Sequence, residues 1–244
     1  MKRTYLLLIL SMGLMAATRA QDKSKNSASQ IPADTAKSKK PAAGITDKIK
    51  SSKKIDGLFT IYQDTATGSV QLYIKKNQLG KEYIYQSFSI NGPTALYLNQ
   101  SMHRATLVFK VQKAFDKLEF ARVNTSFWYD KNNPVSKTAD VDKPEAVFLA
   151  EKFVAEDSTG YLVNADGLFI SEKMDPVKPI IPTSFFSSSV FNLGALNAAK
   201  SKYHQVRSFP NNTDVIVDLA YDNPNATVPG GADITDARYI RVCM

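Results

Sequence analysis

The sequence predicts a mainly β protein, a β-rich α+β fold built from antiparallel hairpins and meanders. Short runs of β-branched and aromatic residues recur through the body of the chain, and Gly, Asn and Asp turn signals separate them. Several of these runs alternate between apolar and polar residues, which is typical of half-buried strands. With 43% hydrophobic residues in 244, the chain has enough apolar side chains to form a core.

The amino terminus has the features of a secretory signal peptide. Met1-Lys2-Arg3 is basic, residues 5–15 are almost wholly apolar, and Thr18-Arg19-Ala20 ends on a small residue. This apolar stretch is shorter than the roughly 20 residues that a membrane-spanning helix needs. Residues 1–20 are therefore predicted to direct export to the periplasm or beyond the cell, and no membrane span is expected.

Residues 21–56 are predicted to be a disordered linker, and residues 57–244 a β-rich module. The linker is rich in Lys, Ser and Ala and contains almost no large apolar side chain, so burial cannot offset the entropy of ordering it. A short helix around residues 45–49 is the alternative that this segment leaves open.

The charge distribution argues against nucleic acid as a partner. The formal net charge is +8, but the basic excess lies in the signal peptide and the linker. Residues 57–244 carry equal numbers of basic and acidic side chains. Because nucleic-acid binding requires a basic face on the folded domain, no nucleic-acid partner is expected.

The first half of the module is predicted to be a β-meander. Asp64 to Gly68 can form a hairpin turn, with Gly68 available for a positive φ, and a Leu79-Gly80 turn precedes a further strand. Phe115-Asp116-Lys117 is the expected turn of a second hairpin. The strands predicted in this half are residues 58–62, 70–74, 82–88, 105–111 and 118–123.

The second half is predicted to contain further hairpins and one helix. Asn164-Ala165-Asp166-Gly167 reads as a turn because Asp-Gly favours tight hairpins, and residues 175–182 are expected to be irregular because they contain proline. Ser187-Ser188-Ser189 can cap a helix over residues 190–203. The predicted strands are residues 147–154, 161–163, 168–170, 214–221 and 239–244, the last of which follows a Pro229-Gly230-Gly231 turn; the chain is expected to be cut within it.

The search for catalytic motifs identifies no catalytic, cofactor-binding or metal-binding residue. His103 and His204 are the two histidines, so no H-E-x-x-H zinc motif exists. The alternative that they meet in space and recruit a carboxylate competes with ordinary loop and packing roles. Nucleophile-elbow and phosphate-loop motifs are missing too, and Glu156-Asp157 is interpreted as a solvated turn.

Two further features bear on binding and redox roles. Phe127, Trp128 and Tyr129 could form a platform for a carbohydrate or a peptide, although packing within strands is the favoured interpretation. Cys243 is the single cysteine, which excludes an intramolecular disulfide and a cysteine-based zinc site. Stability must therefore come from packing.

Five segments, in order along the chain, carry a resemblance to a known family. They are Asp56-Gly57-Leu58-Phe59-Thr60-Ile61-Tyr62; Leu72-Tyr73-Ile74; Leu79-Gly80-Lys81-Glu82-Tyr83; Phe153-Val154-Ala155-Glu156-Asp157 with Gly167-Leu168-Phe169; and Arg207-Ser208-Phe209-Pro210-Asn211-Asn212. Across residues 57–244 the chain resembles the amino-terminal region, a domain of unknown function, of bacterial exported zinc-dependent metalloproteases that have a downstream metzincin-like catalytic domain.

The resemblance implies a non-catalytic module that supports the downstream peptidase domain of the same polypeptide or presents a peptide or protein substrate to it. Zinc is then expected only in that downstream domain, whose zinc ligands and general-base Glu match no position in this chain. The alternative is a standalone periplasmic or surface β-rich protein that binds peptide or glycan. A hydrolase that uses His103 or His204 is a third possibility.

Overall fold

The computed structural model describes residues 44–92, 98–130, 132–138, 145–177, 193–223 and 239–244, all within one compact unit, Pro41–Met244. Within these ranges the chain is mainly β, as predicted. The predicted signal peptide, the first part of the linker, the Ser187-Ser188-Ser189 cap and the Pro229-Gly230-Gly231 turn lie outside them. The strands are β1 (Ser52–Ile55), β2 (Thr60–Asp64), β3 (Val70–Lys75), β4 (Glu82–Asn91), β5 (Met102–Ala114), β6 (Lys117–Arg122), β7 (Ala146–Glu156), β8 (Gly160–Asn164), β9 (Lys202–Phe209), β10 (Asn212–Ala220) and β11 (Tyr239–Cys243).

The described strands form one antiparallel sheet with the order β1-β2-β3-β8-β7-β6-β5-β4-β11-β10-β9. The chain therefore forms two meanders, β1 to β3 and β4 to β8, and β3 pairs with β8 to join them. The prediction of one continuous meander was wrong at this point. Long-range pairing of β3 with β8 displaces β4 from the neighbouring position.

The predicted turns of the first half are confirmed. Gly68 and Gly80 have φ values of 76° and 72°, a left-handed conformation that glycine adopts without a Cβ penalty. Phe115, in the turn between β5 and β6, also has a positive φ of 55° and is 96% exposed. The hairpins β2–β3 and β5–β6 follow from these turns.

The last part of the predicted linker is ordered, which corrects the boundary at residue 56. Helix α1 (Ile45–Lys48) is the short helix left open as an alternative, and β1 pairs with β2 along its whole length. Ile45 and Ile49 pack on the outer face of the sheet against a small cluster of Tyr73, Ala155 and Leu162. These few apolar contacts anchor a polar segment that composition alone does not distinguish from a linker.

Two predicted elements of the second half were wrong. Residues 168–170 do not form a strand, because helix α2 (Asp166–Phe169) begins where the hairpin turn was expected. The helix predicted over residues 190–203 is not found in the described part, residues 193–203. Residues 198–200 form a turn, and Lys202 and Tyr203 begin strand β9. Gly194 has a φ of 82°, which an α-helix does not tolerate.

The core lies on the inner face of the curved sheet. Alternate residues of each strand point inward, such as Leu107, Phe109 and Val111 on β5. Strand β10 alternates as predicted, but Ile216 and Ala220 on its other face are also buried. None of the helices in the described ranges has the length and apolar character needed to cross a bilayer.

The two ends of the sheet meet at a contact that we call the seam, made by residues 57–59 and Ser208-Phe209. The Leu58 amide donates to the Phe209 carbonyl at 2.6 Å, and the Ser208 hydroxyl donates to the Phe59 carbonyl at 2.8 Å. A Cβ on Gly57 would lie 2.5 Å from the Phe209 nitrogen. Only glycine permits this approach of two backbones.

Candidate functional site on the inner face of the sheet

One stretch of chain, residues 165–177, packs its apolar side chains into the core on the inner face of the sheet, and we call it the interior segment. It contains α2 and a series of bends that end in an irregular stretch. Its apolar side chains join the main core; they are Ala165, Leu168, Phe169, Met174 and Val177. This segment also carries three acidic residues, Asp166, Glu172 and Asp175, that hydrogen-bond to side chains of the sheet or of the chain that follows it.

Ser87, Arg104 and Asp175 form a largely buried polar cluster, which we call the Asp175 cluster. The Asp175 side chain is 5% exposed, and Ser87 is fully buried. The Ser87 hydroxyl donates to Asp175 Oδ2 at 2.7 Å, and Arg104 Nε donates to the same oxygen at 2.9 Å. The carboxylate thus receives a neutral and a charged donor away from bulk water.

Local strand geometry explains why these side chains meet. Tyr85, Ser87 and Ser89 alternate along β4 and are all buried, as expected for one face of a strand. Ser87 pairs with Ala105 and Phe88 with His103, so a β-bulge leaves Arg104 as the extra residue on β5. A bulge re-aims a side chain, and that of Arg104 is only 13% exposed.

Arg104 also fixes the backbone of the interior segment. Its Nη2 group donates to the carbonyls of Pro176 and Val177 at 3.2 and 3.0 Å. Residues 175–177 form no strand, so these two carbonyls have no partner in a strand ladder. The guanidinium, with its planar set of donors, replaces those partners.

Two tyrosines make further anchors for the interior segment. The Tyr221 hydroxyl donates to Glu172 Oε1 at 2.9 Å, and the Tyr203 hydroxyl donates to Asp166 Oδ1 at 2.8 Å. Burial raises the pKa of both phenols, and the neighbouring carboxylates raise it further. Both hydroxyls therefore remain protonated donors throughout the physiological pH range.

Tyr85 is a buried polar residue beside this cluster. Its hydroxyl is inaccessible to solvent and has no hydrogen-bond partner among the described residues. Burial raises the pKa of this phenol, so the group is neutral. A buried hydroxyl without a well-placed partner costs free energy.

The chemistry of the Asp175 cluster is that of an anchor. A serine nucleophile requires a base, usually an imidazole oriented by an acid, and Ser87 instead donates directly to a carboxylate that Arg104 also engages. The contacts of the cluster tie the end of the interior segment to β4 and β5. Breaking a buried ion pair by removing one partner typically costs about 3 to 5 kcal/mol.

The structure separates the two histidines. His103 lies on β5, where Nε2 contacts Thr106 Oγ1 at 2.8 Å, and His204 lies on β9, 3.9 Å from Asp218. Three strands lie between β5 and β9, so four strand spacings of about 4.8 Å separate the two side chains along the sheet. They cannot ligate one ion, and the described residues contain no group of three or more side chains suited to hold a metal.

The predicted aromatic platform lies beyond β6. Trp128 is 85% and Phe127 57% exposed, so packing within a strand, the favoured interpretation, does not describe these two side chains. Exposed aromatics of this kind are frequent in binding surfaces. Glu156 is the last residue of β7, and Asp157 follows it in the turn to β8. There, Asp157 Oδ1 accepts hydrogen bonds from the Thr159 and Gly160 amides, each 2.8 Å long.

Sequence reasoning missed Ser87, Arg104 and Asp175. The alternation of β4 could have placed Ser87 on the same face as Tyr85. The bulge that turns Arg104 inward has no signature in the sequence, and Asp175 was assigned to an irregular proline-containing stretch. Comparison with known proteins adds no further residue, because no family model, curated protein or solved structure matches the chain.

Proposed function

We propose that this chain is the non-catalytic amino-terminal module of an exported zinc-dependent metalloprotease, and that it supports the downstream peptidase domain or presents substrate to it. One observation carries the proposal. The segments on which the family resemblance rests are far apart in sequence, yet several of them lie together in the fold. Such contacts are expected if the resembling residues are the ones that determine the fold.

The seam is the clearest instance of this convergence. The first resembling segment, residues 56–62, contacts the last, residues 207–212, through the bonds between Leu58 and Phe209 and between Phe59 and Ser208. About 150 residues separate these partners, the Ser208–Phe59 pair being 149 apart. Neither segment can be explained as a local turn alone.

A second convergence involves the middle segments. A Cβ on Gly167 would lie 2.6 Å from Glu151 Oε1 on β7, close to the resembling residues 153–157. Phe169 packs edge-on against Tyr203, with ring centroids 6.5 Å apart. Residues 167–169 thus lie within the interior segment and are held there by packing, which favours a supporting role over a catalytic role for this module.

The first test is to read the gene past codon 244. We expect the frame to remain open and to reach an H-E-x-x-H motif, the helix-borne zinc motif of metalloproteases. A stop codon directly after Met244 would contradict the proposal.

The second test uses the purified chain. We expect no hydrolysis of a peptide mixture, with or without added Zn²⁺, and zinc retention after dialysis equal to that of a His103→Ala, His204→Ala double variant. Peptide cleavage that this double variant lacks would establish the hydrolase reading and overturn the proposal.

The exposed aromatics favour a second candidate function, the binding of peptide or glycan by a standalone periplasmic or surface protein. Trp128 is the single tryptophan and is 85% exposed, so its fluorescence reports directly on this surface. A saturable change on adding oligosaccharides or unstructured peptides, lost on Phe127→Ala substitution, would favour this function. If the chain is instead a metalloprotease module, we expect no saturable change of the Trp128 fluorescence on adding glycans.

A further inference from the structure

The described strands leave a gap in the sheet in line with β11, which we call the notch. Strand β11 lies between β4 and β10. Strand β4 has a neighbour on each side. Strand β11 pairs with β4 only at Phe88, Ser89 and Asn91, whereas β5 pairs with β4 from Glu82 onward. Among the described strands, residues 82–87 of β4 are therefore paired on the β5 side only.

Strand β10 forms the other wall of the notch. Strand β9 pairs with β10 from Asn212 onward, while β11 and Met244 reach only as far as Val215. Met244 and Val215 exchange two backbone hydrogen bonds, each 2.9 Å long. Residues 212–214 of β10 therefore have a described strand on one side only, and they face the same gap as residues 82–87.

The pairing of β11 fixes the register of a strand in the notch. The residue after Met244 would lie opposite Gln86 and Asp214, and the third residue would lie opposite Ile84 and Asn212. Both amide and carbonyl of Met244 face β10, so alternation directs those of the next residue to β4. At about 3.4 Å per residue, about five residues would fill the gap alongside residues 82–86.

The walls also specify the side chains of the occupant. Met244 packs on the core, so the second residue after it would point inward, between Tyr85 and Thr213, and should be apolar. The third would point outward beside Ile84, which is 73% exposed. An open strand edge beside an exposed apolar side chain is a site for pairing with another strand.

We infer that the notch is filled by the polypeptide that follows Met244 in the longer protein, as a continuation of β11 between β4 and β10. This inference rests on the proposed function. Covalent attachment gives the following residues an effective concentration in the millimolar range, and a straight continuation needs no turn. The module is then tied to the next domain through the middle of its own sheet.

Amide hydrogen exchange measured residue by residue by NMR tests the inference. The chain that ends at Met244 is compared with one that carries the next five native residues or, as a designed probe, Thr-Val-Thr-Val-Thr. We expect the Ile84 and Gln86 amides, which alternation directs into the notch, to exchange at least about tenfold more slowly in the extended chains.

The matched control is Pro-Val-Pro-Val-Thr, which removes two of the three backbone donors that would face β4, those opposite Gln86 and Ile84. Equal exchange in this control and in the Thr-Val extension would overturn the notch geometry. An open reading frame whose native residues leave Ile84 and Gln86 unprotected would overturn the occupant and leave the proposed function standing. A stop codon after Met244 would overturn both the proposed function and the occupant.

Discussion

The hairpins β2–β3 and β5–β6 differ from the interior segment in how their structure is determined. Each hairpin is stabilised by partners a few residues away, through turns that Gly68 or the Phe115-Asp116 pair can form. The interior segment is fixed by partners 37 to 97 residues away, among them Tyr203, Arg104 and Ser69. Local pattern therefore predicts the first and fails for the second.

The seam belongs with the interior segment in this comparison. Its hydrogen bonds join residues at opposite ends of the sheet. Glycine is required at position 57 because the Phe209 backbone lies against it, and not because a local turn needs a positive φ. Substitutions in the two long-range regions should therefore cost more stability than polar substitutions at the hairpin surface, and four variants test this difference.

The largest effect is expected from Asp175→Ala. The substitution leaves the largely buried Arg104 side chain without its carboxylate, so the free energy of unfolding should fall by about 3 to 5 kcal/mol, as measured by urea denaturation. The control is Asp116→Ala in the β5–β6 turn, whose pair with Lys152 is exposed, with side-chain exposures of 52% and 72%, and which should leave the free energy of unfolding nearly unchanged. Equal losses would remove the distinction between the two regions.

Gly57→Ala should have the next largest effect, because its Cβ would meet the Phe209 backbone nitrogen at 2.5 Å. Relief requires the seam to shift, and we expect a loss of about 1 to 3 kcal/mol. Gly44→Ala is the control, since no atom lies within 4 Å of its Cβ position. A thermal-unfolding midpoint unchanged in both variants would contradict a close-packed seam.

Tyr203→Phe sharpens the comparison at a single hydrogen bond. The variant keeps the ring packed near Phe169 but removes a donor to Asp166, which also accepts from Ser69 and from the Val70 amide. A loss of about 1 to 2 kcal/mol is expected in urea denaturation. Tyr239→Phe, at a ring that is 50% exposed, should change stability by less than about 0.5 kcal/mol.

The smallest effect is expected at Asp64, in the β2–β3 turn. Hydrogen bonds from the Ser51 hydroxyl and from the Thr67 and Ala66 groups lower the pKa of this exposed carboxyl to about 2. Because the folded pKa lies below the unfolded value of about 3.9, the carboxylate stabilises the fold above pH 4, and this contribution is lost as the pH falls toward 2.

The Asp64 prediction is checked by NMR titration of the carboxyl and by urea denaturation between pH 2 and pH 5. Asp64→Asn should flatten the pH dependence in that window without changing it above pH 5. An Asp64 midpoint near 4 in the folded protein would show that the turn does not hold the carboxylate as described.

The errors of sequence interpretation have particular physical causes. Residues 168–170 have the composition of a strand, but Asp166 accepts hydrogen bonds from Ser69, Val70 and Tyr203 and thereby places α2 inside the sheet. Residues 52–55 look like linker because their side chains are polar, yet β2 offers them a free edge. In both cases distant residues supply the partners that decide the conformation.

The sequence by itself determined the mainly β class, the strands from β2 to β8 and those of β10 and β11, and the glycine turns, because alternation and positive φ are properties of a few neighbouring residues. Only the tertiary structure decided that β3 pairs with β8, that a bulge turns Arg104 toward Asp175, and that Gly57 meets Phe209. These contacts join segments that no local pattern relates, and their free energy comes from burial and hydrogen bonding that exist only once the sheet has closed around its core.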